Sequence, residues 1–257
     1  MSIREAASVI LLRATADNFE VFLLRRHKQA SFMASAFVFP GGAAEPGEDA
    51  LTAAARELFE EAGVLLARDT GSQHETLQLM TQEQLRHKVL SGVPAHAVLE
   101  LAGLAWATDG LIPWSHWITP SIEPKRFSAR FFVGEMPAGQ VPSFDATETV
   151  DQAWVTPQQA LSRAGELALP PPQIRTMWEL AKYSTITEVF AAAKQRAEQP
   201  HPIMPRLAPA NVPTLLLPWD VDYTDKGTGE ATPLAYKPSW AIGPSRFTLE
   251  GKTWIHT

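Results

Sequence analysis

Apolar positions along this chain follow two different periods. Residues 6–13 and 19–26 are apolar, β-branched or aromatic runs with a break at 14–18 between them, which predicts a hairpin-like pair of core strands. From Asp49 to Ala62 the period becomes helical. At about 100° per residue, Leu51, Ala55, Leu58 and Ala62 fall in one narrow apolar stripe, while Glu57, Glu60 and Glu61 gather on a separate arc. The ends are marked too: Pro46-Gly47 is a turn signal, Glu48 and Asp49 put negative charge at the amino end, and Gly63 suits the left-handed position past the last turn. One face of this helix packs, and another presents three carboxylates.

Further along, residues 64–67 read as a short strand, and residues 110–119 carry Trp114 and Trp117. Residues 126–133 and 148–155 read as strands, the second followed by Thr156-Pro157 and a helix over about 158–167. Between residues 64–67 and 110–119 lies an insertion over about 68–105 with helical stretches at 81–90 and 95–101, the first opened by a Thr81/Gln84 cap. Pro170-Pro171-Pro172 marks a boundary between a domain over 1–169 and an extension over 170–257. The extension begins with helices at 173–183 and 186–196 and then becomes proline-rich, with short strands at 214–217, 245–249 and 252–256.

Composition narrows the class. At 257 residues and 45% hydrophobic, the chain buries a real core without staples, and with no cysteine it has neither disulfides nor thiolate chemistry. The formal charge of −6 disfavours non-specific nucleic-acid binding. No apolar run approaches membrane-spanning length and no secretory pattern opens the chain, so the expected setting is cytoplasmic.

Glutamates at i, i+3 and i+4 repel one another unless a positive charge sits among them. A solvated acidic face paired with Arg56 is the plainer reading of such a helix; a hard divalent cation, magnesium or manganese, is the functional one. Such a cation would neutralise phosphate oxygens and activate a water for in-line attack. Gly41 and Gly42 let the backbone approach a ligand or ion closely. The basic run Arg25-Arg26-His27-Lys28 follows the second strand as a charged loop or a phosphate contact. Asp145, before the predicted strand at 148–155, and Glu148 and Asp151 in its first half are candidate ligands or bases. No phosphate-binding loop, dinucleotide fingerprint, zinc helix or nucleophile elbow is present.

The glutamates stand in a specific frame. Gly42, five residues, Glu48, seven residues and then Arg56-Glu57-Leu58-Phe59-Glu60-Glu61-Ala62-Gly63-Val64 match every fixed position of the Nudix box, G-x5-E-x7-R-E-U-x-E-E-x-G-U. The chain thus resembles a Nudix hydrolase. The resemblance implies an α/β/α sandwich with a mixed sheet, here with a helical insertion and a C-terminal extension, and cleavage of a diphosphate linkage in a nucleoside diphosphate derivative. It also implies roles: Glu57, Glu60 and Glu61 with the carbonyl of Gly41 hold the metal, Arg56 orients a carboxylate by a salt bridge, and Glu48 supports. Glu61 is the first choice of general base, with Glu148 as the acid from a later loop. A homodimer is also implied.

Three further stretches are similar to the peroxisomal coenzyme A diphosphatases and their bacterial relatives. They are residues 19–42, with Leu-Leu-Arg-Arg and Phe-Met-Ala-Ser-Ala-Phe-Val-Phe-Pro-Gly-Gly; Trp117-Ile118-Thr119-Pro120 leading to residues 126–132; and Leu216-Leu217-Pro218-Trp219-Asp220. That branch usually has arginine and glycine where this chain has Ser31 and Ser35. Coenzyme A or acyl-coenzyme A as substrate implies 3′,5′-ADP and phosphopantetheine products, phosphate contacts from Arg25, Arg26 or Lys125, and adenine stacking on Phe32 or Trp114. ADP-ribose, dinucleotides and nucleotide sugars are the alternative substrates, and a non-catalytic ligand sensor the alternative class.

Overall fold

The computed structural model describes residues 3–30, 33–71 and 80–257. The chain opens with β1 (Arg4–Ala14) and β2 (Phe19–Arg26), then the short β3 (Phe37–Val38) and β4 (Gly41–Ala43) before helix α1 (Ala50–Ala62). The insertion follows as β5 (Ala67–Asp69), α2 (Gln82–Leu90), α3 (Ala95–Leu101) and β6 (Leu104–Trp106). Next come β7 (Ile112–Ile118), β8 (Phe127–Glu135), β9 (Thr149–Val155), α4 (Pro157–Ser162), α5 (Pro171–Leu180) and α6 (Ile186–Ala197). The chain ends in β10 (Pro202–Ile203), β11 (Arg206–Leu207), β12 (Thr214–Leu216), α7 (Tyr223–Lys226), β13 (Arg246–Glu250) and β14 (Thr253–His256).

Strand β1 organises the main sheet. Its far end pairs antiparallel with β2 as the expected hairpin, Leu12 to Ala14 against Phe19 to Val21, while its first half pairs with β4, Ala6 to Ser8 against Gly41 to Ala43. Its other edge runs parallel to β8 from Arg4↔Phe127 to Leu12↔Glu135. Strands β7 and β10 continue beyond β8, and β3 and β9 pair with β2, so the sheet is mixed. Alternation sends Val9, Leu11, Phe22, Leu24 and Phe132 to a core under α1, and Ile10, Leu12, Val21, Leu23, Phe131 and Val133 to a larger core under α4, α5 and α6. The architecture is an α/β/α sandwich.

Several boundaries moved for identifiable reasons. Residues 64–66 form no strand: both backbone polar groups of Leu65 bond the side chain of Gln140, and the strand begins instead at Ala67, pairing with β6. Helix α4 stops at Ser162, short of the expected 167, and the following turns pack Gly165 against Thr253 of β14. Pro171 opens α5, where its missing N–H costs nothing. Ile174, Met177, Leu180, Val189 and Ala193 of α5 and α6 share one core with the sheet, so apolar packing runs on past the triple proline. The late strands β11 to β14 form an antiparallel sheet of their own.

Helix α1 is buried more widely than its single stripe predicts. Phe59 leads a third cluster with Leu85, Val89 and Val98, so α2 and α3 cover a second side of the helix. The insertion is therefore packed against the glutamate-bearing element. Among the described residues, no helix is long and apolar enough to cross a membrane.

Candidate active site

The glutamate helix is pinned at both ends. Asp49 accepts hydrogen bonds from the backbone of Leu51 and Thr52 at 2.9 and 3.0 Å, a cap of about 1 kcal/mol. Gly63 takes the left-handed conformation at φ 67° and its N–H closes on the Phe59 carbonyl. Between the caps Arg56 is almost wholly buried at 6% exposure, and it is the hub of the acidic arc. Its Nε and Nη2 donate to Glu48 at 3.0 Å each, its Nη1 to Glu57 at 2.9 Å and Glu60 at 3.1 Å, and its Nη2 also to the Ala43 carbonyl at 2.9 Å. Burial opposes its charge, but the Glu48 hydrogen bonds and the fields of Glu57 and Glu60 prevail and raise its pKa. A buried guanidinium with four partners is a fixed strut.

The two glycines of β4 bring backbone against those carboxylates. The Gly41 N–H donates to Glu61 Oε2 at 2.9 Å, and its φ of 155° suits glycine, since a side chain there would collide with Ser8 and the Ala7 carbonyl. At Gly42 a Cβ would stand 2.5 to 2.6 Å from the carboxylate of Glu57. The absence of side chains is thus a cradle for Glu57.

Charge in this cradle is poorly compensated. Burial raises Glu61 to about 8, with further push from Glu57 and Glu148 against the Gly41 hydrogen bond and the charge of Arg26. Burial likewise raises Glu57 to about 7, opposed by Arg56 and reinforced by Glu60 and Glu148, and it raises Glu60. Among the described residues no three acidic or histidine side chains already converge as a metal's ligand set does, and Glu57 and Glu60 are bonded to Arg56. The donor set nevertheless fits a hard cation: buried carboxylate oxygens beside a glycine backbone, with proton affinities that a divalent charge would lower.

Arg26 and Glu148 come to this edge, since both act electrostatically on Glu61. Arg25 does not. It alternates to the opposite face with its guanidinium 5.9 Å from the Phe37 ring, and Asp151, its cross-strand partner, shares that face. Lys125 lies in the turn before β8, 5.7 Å from the Phe127 ring, which points to the same side as Phe131 and away from the glutamates. Trp114 is no stacking platform. It is 3% exposed in the core under α5 and α6, and its Nε1 donates to buried Glu179 at 3.0 Å. Ser31 and Phe32 lie outside the described residues, while Ser35 sits at φ 62°, a conformation glycine adopts without strain.

Sheet register reveals residues the linear pattern did not. Gly42 pairs with Ala7, Ala7 with Arg130, and Arg130 with His116, so one row crosses four strands on the face that bears α1. Two strand spacings put Arg130 about 10 Å from Gly42 along this row. Behind it His116 Nε2 bonds Ser128 Oγ at 2.8 Å, and Ser128 donates to Glu5 at 3.1 Å. Burial, then the charge of Arg130, lowers His116 to about 4, leaving it neutral at ordinary pH. Arg130 is an exposed cation on the glutamate side. Only parity along β8 could have singled it out, and that needs the register.

Comparison with known proteins agrees with this geometry. The family model for the NUDIX domain matches residues 3–176. The putative nudix hydrolase 7 of Caenorhabditis elegans is 31% identical over 88% of this chain and 76% of its own length. An acyl-coenzyme A diphosphatase NUDT19 of Xenopus laevis is 25% identical over 81% of this chain and 74% of its own. Among solved structures, a NUDIX hydrolase from Alicyclobacillus acidocaldarius superposes with a TM-score of 0.65 at 27% identity, covering 74% of this chain and 96% of that one. The box helix, the glycine cradle, the mixed sheet and these relatives together show that this chain belongs to the Nudix family of hydrolases.

Proposed function

We propose that this Nudix diphosphatase hydrolyses the diphosphate linkage of coenzyme A or acyl-coenzyme A in the presence of magnesium, releasing 3′,5′-ADP and the phosphopantetheine half. The observation that carries the hydrolytic part is the juxtaposition of Glu61 and Glu57 with the glycines of β4, beside Glu57 and Glu60 held by Arg56. The substrate part is supported by the relatives named as acyl-coenzyme A diphosphatases.

In this reading Glu57, Glu60, Glu61 and the Gly41 carbonyl hold magnesium or manganese. The bound ion supplies charge neutralisation for the diphosphate and an acidified water. Glu61, whose Oε2 is fixed by the Gly41 N–H, accepts the proton of the attacking water. Glu148 adds a carboxylate from the loop before β9. Arg56 keeps Glu57 and Glu60 from swinging apart. Arg26 and Arg130, two cations on the glutamate side of the sheet, take substrate phosphates.

Turnover of coenzyme A, acyl-coenzyme A, ADP-ribose, NADH and a nucleotide sugar with added magnesium tests the proposal. Preference for the coenzyme A pair supports it; preference for another member reassigns the substrate, and binding without turnover of any would favour a sensor.

A further inference from the structure

The carboxy-terminal turn of α1 ends in carbonyls with no partner inside the helix. Arg86, on α2 of the insertion, takes two of them. Its Nε and Nη2 donate to the Glu60 carbonyl at 3.0 and 2.8 Å, and Nη2 also reaches the Glu61 carbonyl at 2.8 Å. The third arm, Nη1, donates to Ser143 Oγ at 2.9 Å. Gly63 makes room for this fork: a Cβ there would stand 2.9 Å from Nη1.

Ser143 belongs to the loop that leads to Glu148. Its own N–H bonds the Ala62 carbonyl at 2.9 Å. Two residues on, Asp145 Oδ1 gathers the N–H groups of Thr147, Glu148 and Thr149 at 2.8, 3.0 and 2.9 Å, which sets the turn from which Glu148 projects. Beside this, Gln140 Oε1 accepts from the Leu65 N–H at 2.8 Å and from Gln82 of α2 at 2.6 Å, and Gln82 also donates to the Gly63 carbonyl. One guanidinium thus touches the backbone of two box glutamates and the loop that brings the fourth acid.

We infer that Arg86 is a positioning residue for the hydrolysis, and that the inserted helices lock the last turn of α1 and the Glu148 loop into one unit. A simple helix cap needs one donor, and water supplies it at an exposed end. The planar fork spanning two carbonyls and a hydroxyl is geometry that lysine cannot reproduce. The inference rests on the hydrolase reading of the same site.

The test compares Arg86→Ala, Arg86→Lys and Ser143→Ala with the wild-type protein by manganese-binding calorimetry, amide hydrogen exchange and magnesium-dependent turnover of coenzyme A. Both Arg86 variants are expected to bind manganese several-fold more weakly and to exchange faster over 57–66 and 143–149 together. Their kcat falls about tenfold or more while KM stays within about threefold, as misplacement of catalytic groups predicts. Added guanidinium partly restores Arg86→Ala. Adding Glu148→Gln to Arg86→Ala costs less than the two losses multiplied, because the loop is already released. Ser143→Ala speeds exchange at 143–149 alone. Wild-type manganese affinity and exchange in a folded Arg86 variant, or fully multiplicative losses in the double variant, overturn the inference. Should Arg86→Ala not fold, Arg86→Lys and Ser143→Ala decide by the same readouts. Metal binding and exchange need no substrate, so an error about coenzyme A is distinguishable from an error about Arg86.

Discussion

The carboxylate of Glu57 occupies the space where Gly42 would carry a side chain, with its oxygens 2.6 Å from that Cβ position. The first residue of the box and its first helical glutamate are thus two halves of one contact. Gly42→Ala is expected to push Glu57 off its position while leaving the fold intact. A displacement of about 1 Å at a reacting centre costs on the order of 100-fold in rate. Steady-state turnover with unchanged thermal unfolding checks this; activity within a few-fold of wild type would show that Glu57 is free to move.

Burial makes Glu61 and Glu57 hold their protons, to about 8 and about 7. Their folded pKa values lie above the unfolded carboxylate value of 4.5, so the metal-free protein has their full stabilising contribution below that pH. The contribution is lost as pH rises through 7 and 8. Metal-free protein should therefore melt lower at pH 8 than at pH 6, magnesium should restore more at pH 8, and binding should release protons. Glu61→Gln should flatten the slope, as melting curves with chelator or magnesium will show.

Arg130 stands in the cross-strand row that starts at Gly42. If it holds the phosphate on the ribose of coenzyme A, Arg130→Ala should lose about tenfold or more in kcat/KM for coenzyme A and much less for the dephosphorylated analogue, since a charge-assisted phosphate contact is worth about 1.5–3 kcal/mol. Equal losses on both would place Arg130 on the diphosphate instead.

A buried ionic cluster fastens the extension on the opposite face. Glu179 accepts from Arg175 at 2.8 Å and pairs with Arg196 at 3.1 Å, and Arg175 lies between the rings of Trp178 and Trp219 at 4.6 and 4.7 Å while donating to the Trp240 and Pro244 carbonyls. Glu179→Ala leaves Arg175 and Arg196 without a carboxylate and should cost about 3–5 kcal/mol in urea unfolding, with kcat per folded molecule unchanged. A loss below about 1 kcal/mol would show that the cluster relaxes or hydrates.

The parts of this molecule legible from sequence are those whose signal is local. The period of α1, its Asp49 cap and Gly63 stop, the hairpin of β1 and β2 and the Thr81/Gln84 capping box all follow from neighbours in the chain. Residues whose environment is set by distant partners were not legible. Arg25 and Arg26 are adjacent in the run, yet alternation separates them by the thickness of the sheet. Trp114 looks free until Glu179, many residues away, claims its indole. Arg86 looks like an ordinary surface charge until α2 folds across the end of α1. Buried polar contacts between elements carry no period, so only coordinates reveal them.

The glutamates of α1 are tested by magnesium-dependent cleavage of coenzyme A by the wild-type protein beside Glu60→Gln and Glu61→Gln. The wild type is expected to release 3′,5′-ADP and phosphopantetheine, and each folded variant to lose roughly 100-fold or more, for Glu61 the range of general base catalysis. Wild-type rates in either variant would contradict the role given to these glutamates, and no cleavage by the wild type with magnesium or manganese would contradict the substrate.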